Sequence, residues 1–113
     1  MSAFNTPKEI VVFRTHDGRV PFDIWLDDLR DRRAVAKILA RLARVRQGNL
    51  GDCKVVGEGV SELRIDYGPG YRVYLGQRGA TLVVLLCGGD KRTQNRDIIL
   101  AKQFWHEFKE MES

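Results

Sequence analysis

Four cationic side chains fall in two short stretches that could hold a phosphate. Arg64 and Arg72 lie in "ELRIDYGPGYRVYL" at 62–75, and Lys91 and Arg92 lie in "GGDKRTQ" at 88–94. Arginine stays charged at working pH and its planar fork matches phosphate oxygens. A lysine crowded by other cations gives up its proton more readily and becomes a usable general base. Tyr67, Tyr71 and Tyr74, in or beside the first stretch, add flat rings on which a base could stack. Three or four cations with aromatic rings make a phosphodiester-binding site. RNA cleavage by its own 2′-hydroxyl asks more: that proton removed, in-line geometry held, and charge on the phosphate and leaving oxygen stabilised. The arginines supply the last, and Lys91 is the candidate base. Nothing resembles a catalytic histidine pair: His16 sits in an early turn and His106 in the final helix, where a surface or structural role is the commoner one.

Whether the two arginines can act together depends on strand parity. Leu63 and Ile65 precede the Gly68-Pro69-Gly70 turn, and Val73 and Leu75 follow it. If both apolar pairs face one core, Arg64, Arg72 and Tyr74 share the opposite face. That register needs an odd-numbered loop or a bulge. The other parity would bury an unpaired arginine beside Leu63 and Ile65, which is costly. The arginines are therefore expected to meet on one exposed concave face. The strand "ATLVVLLCGG" is apolar on both faces and should be central. Gly88 and Gly89 are read as letting the backbone turn, so that Lys91 or Arg92 ends near the hairpin arginines, at the N-terminus of the last helix, itself a favourable place for an anion.

The elements that position these residues follow from periodicity. "EIVVF" at 9–13 reads as a strand and Asp17-Gly18 as a turn. Pro21 opens a helix that carries Phe22, Trp25, Leu26 and Leu29. Asp31 is the expected N-cap of a second helix reaching about Gln47, with the apolar stripe Ala34, Val35, Ile38, Leu39, Leu42 and Val45. A last helix is expected from about Thr93 to Met111, with Ile98, Ala101, Phe104, Trp105 and Phe108 inward. The order predicts a single α+β domain over 1–113, with an antiparallel-rich mixed sheet of about four strands, two N-terminal helices and a C-terminal helix.

Charge distribution adds to the argument. The 113 residues carry a net charge of +4, and between Arg32 and Gly51 there are six basic residues and no acidic one. Arg33, Lys37, Arg41 and Arg44 recur at helical spacing and so line one face of the second helix. Amphipathic helices need charged outer faces. Here, though, Arg32 and Arg33 stand in the first turn, where the dipole disfavours positive charge by ~0.3–1 kcal/mol each. A strip of one sign suits a polyanion such as a phosphate backbone, or an acidic protein.

Composition excludes other classes. The chain is 43% hydrophobic and 30% charged, which is neither disordered nor fibrous. Its longest apolar run, "LVVLLC" at 82–87, falls far short of the roughly 20 residues a membrane span needs. No secretory signal is visible at the start. Cys53 and Cys87 are too few for a disulfide framework, and no ligand-spaced cluster suggests a metal. A cytoplasmic location without cofactor or metal is expected.

The combination "FDIWLDDL…KILARLARVRQGNLGDCKVVGEGVSELRIDYGPGYRVYL…LLCGGDKRTQNRDIILAKQFW" resembles the RelE/HigB-type toxins of bacterial type II toxin–antitoxin modules. Within them it resembles the branch called addiction module killer proteins, over about residues 8–108. The resemblance implies the RelE-like microbial RNase fold and metal-independent cleavage of mRNA by 2′-hydroxyl transesterification, typically in the ribosomal A site. It also implies neutralisation by a small cognate antitoxin with a helix-turn-helix domain, through which alone the toxin would meet DNA. By the same resemblance Arg72 stabilises the phosphate and transition state, Arg64 is the basic position on the preceding strand, and Lys91 and Arg92 are the basic residues after the central strand. Arg33, Lys37, Arg41 and Arg44 would dock on ribosomal RNA, with Tyr71 and Tyr74 among the RNA-binding residues. Some relatives use a tyrosine near the last helix, where this chain has "NRDII", and others use histidines it lacks; the general acid stays unassigned. Two other readings share the fold: a toxin acting on a protein target such as gyrase, and an inert nucleic-acid-binding co-repressor.

Overall fold

The computed structural model describes residues 6–112. Residues 1–5 and 113 of the expected domain lie outside the described residues. The elements run β1 (Glu9–Val12), α1 (Pro21–Asp28), α2 (Arg32–Arg46), β2 (Cys53–Gly57), β3 (Val60–Ile65), β4 (Tyr71–Arg78), β5 (Leu82–Asp90) and α3 (Gln94–Met111). One 3-10 turn, Lys91–Thr93, joins β5 to α3.

The sheet has the order β1-β5-β4-β3-β2, with β1 parallel to β5 and every other pair antiparallel. The α+β class and the mixed sheet follow the sequence, but the sheet has five strands rather than about four. The fifth is β2, a short edge strand with a register shift between Val55 and Gly57 and with Val55 74% exposed. An edge strand that buries so little carries a weak alternation signal.

The alternating faces of the sheet build two cores. Leu63, Ile65, Tyr71, Val73, Leu75, Val83 and Leu85 pack with Phe22 of α1 and with Ala34, Ile38, Leu42 and Val45 of α2. On the other face Val60, Tyr74, Val84, Leu86 and Cys87 pack with Ala101 and Trp105 of α3 and with Phe13. β5 thus contributes to both cores, as its uninterrupted apolar run requires. Asp31 caps α2, its Oδ1 accepting from the backbone N–H of Arg33 at 2.9 Å and Ala34 at 3.2 Å. That carboxylate answers the two arginines of the first turn. Leu39, expected in the apolar stripe, is 49% exposed. It lies roughly 100° round the helix from buried Ile38, outside the narrow line along which α2 meets the sheet.

Candidate functional site

β3 and β4 pair so that Arg64 stands directly opposite Arg72, Glu62 opposite Tyr74, and Leu63 opposite Val73. Residues 66–70 form the intervening loop, an odd-numbered connection that sets this parity. Both arginines therefore leave the sheet on the face that α3 covers farther along. The face is less open than the sequence suggests: the Arg64 side chain is 34% exposed and that of Arg72 only 12%.

Between them lies Glu62, with no solvent exposure at all. Its Oε1 accepts from Arg64 Nε at 3.1 Å. Its Oε2 accepts from the Tyr74 hydroxyl at 3.1 Å and from Gln94 Nε2 at 2.9 Å, and faces Arg72 Nε at 3.8 Å. Burial pushes the Glu62 carboxyl up, but donation from Gln94, Arg64 and Tyr74 and the charge of Arg72 outweigh it, so the group titrates below its ordinary value. It is a carboxylate held by neighbours from β3, β4 and the first residue of α3. Arg72 Nε is buried and has no hydrogen-bond partner.

Lys91 reaches the same place from β5. Arg72 pairs with Gly89 and Tyr71 with Asp90, so Lys91 leaves the sheet two residues past the arginine row. Arg64, Arg72 and Lys91 line one cavity of about 250 Å³ together with Asp52, Ile65, Asp66 and Gly70. Arg92 is not among the lining residues. It turns back to Asp90, with Nη2 at 3.2 Å from Oδ2 and its backbone N–H at 2.8 Å from Oδ1. The expected anion site at the head of the last helix is closed by the chain's own groups, since Asp90 takes the Arg92 N–H and Thr93 donates to the buried Asp97.

The tyrosines depart from their expected stacking role. Tyr74 is fully buried, and burial together with Glu62 pushes its phenol well above the ordinary value, so it offers no ring to a base. Tyr71 is 8% exposed, in the core beside α1, its ring edge-on to Trp25 at 6.3 Å. Tyr67 is partly exposed, but Lys37 Nζ already sits 5.2 Å from its ring centre. Alternation places a tyrosine on a face; it does not say whether a helix covers that face.

The basic face of α2 divides in the same way. The Arg41 guanidinium donates to the carbonyls of Arg64, Leu50 and Asp52, tying α2 to β3 and to the loop before β2. Its Nη groups are engaged by the fold, and it lines the same cavity as Lys37 and Arg44. Lys37 and Arg44 remain exposed and line a second cavity of about 360 Å³, which shares Ile65 and Asp66 with the first. Arg33 is exposed one turn before Lys37.

Glu62, Gln94, Asp52 and Asp66 escaped the sequence reading as site residues. For Glu62 the signal was present: it has the parity of Arg64 and faces Tyr74 across the ladder. Gln94 carried none, because only the tertiary fold brings the head of α3 to β3.

Elsewhere the reactive groups are quiet. Burial and Asp97 push the Cys87 thiol up to about 12, and burial raises that of Cys53. Both are thiols, not nucleophilic thiolates. His106 is exposed, 3.6 Å from Glu110, and neither histidine lines the arginine cavity. Among the described residues no group of three or more His, Cys, Asp or Glu side chains is placed to hold a metal ion, and no helix is long and apolar enough to cross a membrane. The arrangement brings two guanidinium groups and a lysine side chain to one cavity that Asp52 and Asp66 also line.

No protein-family model matches the chain. A Haemophilus influenzae protein described as an uncharacterized protein is 58% identical to it over 81 residues, a match spanning 72% of this chain and 82% of that protein. With that identity over most of both lengths, the chain belongs to the same family as the Haemophilus influenzae protein.

Proposed function

We propose that the protein is the toxin of a type II toxin–antitoxin module, an mRNA endoribonuclease of the RelE/HigB type built on a RelE-like microbial RNase fold. The observation that supports this reading is the convergence of Arg64, Arg72 and Lys91 on one cavity from three different strands or strand ends. In the proposed reaction the 2′-oxygen attacks the adjacent phosphorus and the bond to the 5′-oxygen breaks. The departing 5′-oxygen takes a proton from water, so the products are a 2′,3′-cyclic phosphate and a new 5′-hydroxyl. Arg64 and Arg72 hold the non-bridging oxygens and the charge that builds on them, and Lys91 receives the 2′-hydroxyl proton. Lys37, Arg44 and Arg33 extend the positive surface along the second cavity for flanking RNA or ribosomal RNA. Working in the cytoplasm, the toxin would act on ribosome-bound mRNA and be silenced by a helix-turn-helix antitoxin.

The experiment is a pulse of expression followed by transcriptome-wide mapping of cyclic-phosphate ends, with Arg72→Ala beside the wild type. New ends within coding regions, present only with wild type, support the reading. Growth arrest without new ends points instead to a protein target such as gyrase. Neither arrest nor ends would leave an inert co-repressor.

A further inference from the structure

A carboxylate stripped of water is costly, and an apolar residue of similar volume would serve stability as well or better. The charge of Glu62 therefore asks for a reason beyond packing. Its geometry supplies one. Arg64 and Arg72 are like charges directly opposite in a ladder, an arrangement that normally drives side chains apart. Glu62 accepts a hydrogen bond from Arg64 Nε at 3.1 Å and lies 3.8 Å from Arg72 Nε, an ion pair without a hydrogen bond. With that edge of each guanidinium turned toward Glu62, the terminal Nη edges remain for whatever occupies the cavity that both arginines line. Tyr74 and Gln94 hold the carboxylate from the far side, so it cannot swing out to follow a ligand. Nothing exposes Glu62 to the cavity, which excludes it as a base acting on substrate.

We propose that Glu62 is a positioning residue: it holds Arg64 by a hydrogen bond at Nε and Arg72 by the charge of the same carboxylate, so that both guanidinium groups are kept together at one cavity for a single phosphodiester. The clamp rests on the RNA-cleaving reading for its purpose, but its existence can be read without it.

The test has two arms. In the first, Nε–Hε resonances of ¹⁵N-arginine-labelled protein are assigned with Arg64→Lys and Arg72→Lys. The wild type is expected to show the Arg64 Nε–Hε shifted and exchanging at least tenfold more slowly than free arginine. In Glu62→Gln the Arg64 signal should move to the free-arginine position while the Arg72 signal shifts with the loss of the neighbouring charge, and in Glu62→Asp, which keeps the charge one methylene back, the Arg64 signal should move part of the way. In the second arm, single-turnover cleavage of a defined mRNA on programmed ribosomes should slow 10- to 100-fold in Glu62→Gln, with substrate affinity changed less than threefold and partial rescue by Glu62→Asp. A merely structural role would not split rate from affinity. Free-arginine behaviour of Arg64 in the wild type overturns the clamp even if Glu62→Gln does not fold. Wild-type cleavage by a Glu62→Gln protein whose arginine signals have moved also overturns it. If wild type cleaves nothing, the functional reading falls, and the resonances alone decide whether Glu62 holds the arginines.

Discussion

Arg64 and Arg72 are cross-strand partners, and the carboxylate of Glu62 lies between their Nε atoms. Two like charges face to face in a sheet normally oppose pairing. Here the opposition is absorbed by a buried anion on the same face, two residues before Arg64. The hairpin thus carries a preformed cationic pair whose cost is met inside the fold.

Arg72 is the less exposed of the two and its Nε lacks a hydrogen-bond partner, so its loss removes a donor from the cavity while Glu62 keeps Arg64, Tyr74 and Gln94. Arg72→Ala is expected to fold and, on the proposed RNA-cleaving reading, to reduce cleavage by roughly 10²–10³-fold, the scale of losing one charge-stabilising donor. Arg72→Lys, which keeps charge but not the fork, should fall between. Circular dichroism checks the fold and cleavage kinetics check the rate; full activity in Arg72→Ala would remove the cavity from the mechanism.

Glu62 also sets a pH dependence. Its folded carboxyl titrates below the ordinary value, so the unfolded chain binds the proton more readily. The stability it contributes is then present above the unfolded carboxylate pKa and is lost as pH falls through the lower folded value. Asp17 and Asp90 are shifted the same way, so the informative quantity is a difference. Urea midpoints of wild type and Glu62→Gln should converge as the medium is acidified below the carboxylate range and separate toward neutrality. A gap that stays constant with pH would show that Glu62 is not charged in the fold.

Much of this was legible in the chain, and what was not has identifiable physical causes. The parity of Leu63, Ile65, Val73 and Leu75 fixes which face carries the arginines, because a period of two admits no compromise. The proline that opens α1 and the Asp31 cap of α2 follow local chemistry. The partners of Tyr74 and Arg41 went unread for one reason: each is polar and sits on a polar-looking face, yet its partners lie far away in sequence. Tyr74 meets Glu62 under the cover of α3, and Arg41 meets three carbonyls of a loop and a strand. Long-range satisfaction of polar groups leaves no periodic trace.

The glycines before Lys91 teach the same lesson. They read as turn residues, but both lie within β5, and a Cβ on Gly88 would meet the Trp25 ring at 2.2 Å. Gly88 is there to let α1 lie against the sheet. Gly88→Ala is expected to destabilise by about 1–3 kcal/mol through overpacking, with part of that recovered in the double variant with Trp25→Leu. Thermal melts of the four proteins form the cycle; additive effects would show that the ring and the glycine do not meet.

Tyr74→Phe separates packing from recognition. The substitution keeps the buried ring and deletes one donor to a buried carboxylate, which is expected to cost about 1–3 kcal/mol. Because Tyr74 has no exposed surface, the positions of RNA cuts should be unchanged. Denaturant unfolding reads the first effect and end mapping the second. An altered cut pattern at unchanged stability would return Tyr74 to the RNA.

Along α2, neighbouring cations should behave in opposite ways. Arg41→Ala removes a donor from three carbonyls, of which Asp52 keeps the Arg64 backbone N–H, and is expected to cost about 1–3 kcal/mol. Arg41→Lys should recover little of it, since an ammonium cannot span the three carbonyls as a planar fork does. Lys37→Ala and Arg44→Ala remove exposed charges and should leave the melting temperature nearly unchanged. If the groove they line carries RNA, each should instead weaken binding of a single-stranded oligonucleotide and flatten the salt dependence of log K by about 0.7 for every phosphate no longer neutralised. Binding titrations across a salt series, run beside thermal melts on all four variants, resolve the two behaviours. Equal salt slopes for wild type and Lys37→Ala would confine the RNA to the arginine cavity and leave the outer face of α2 as an ordinary solvated surface.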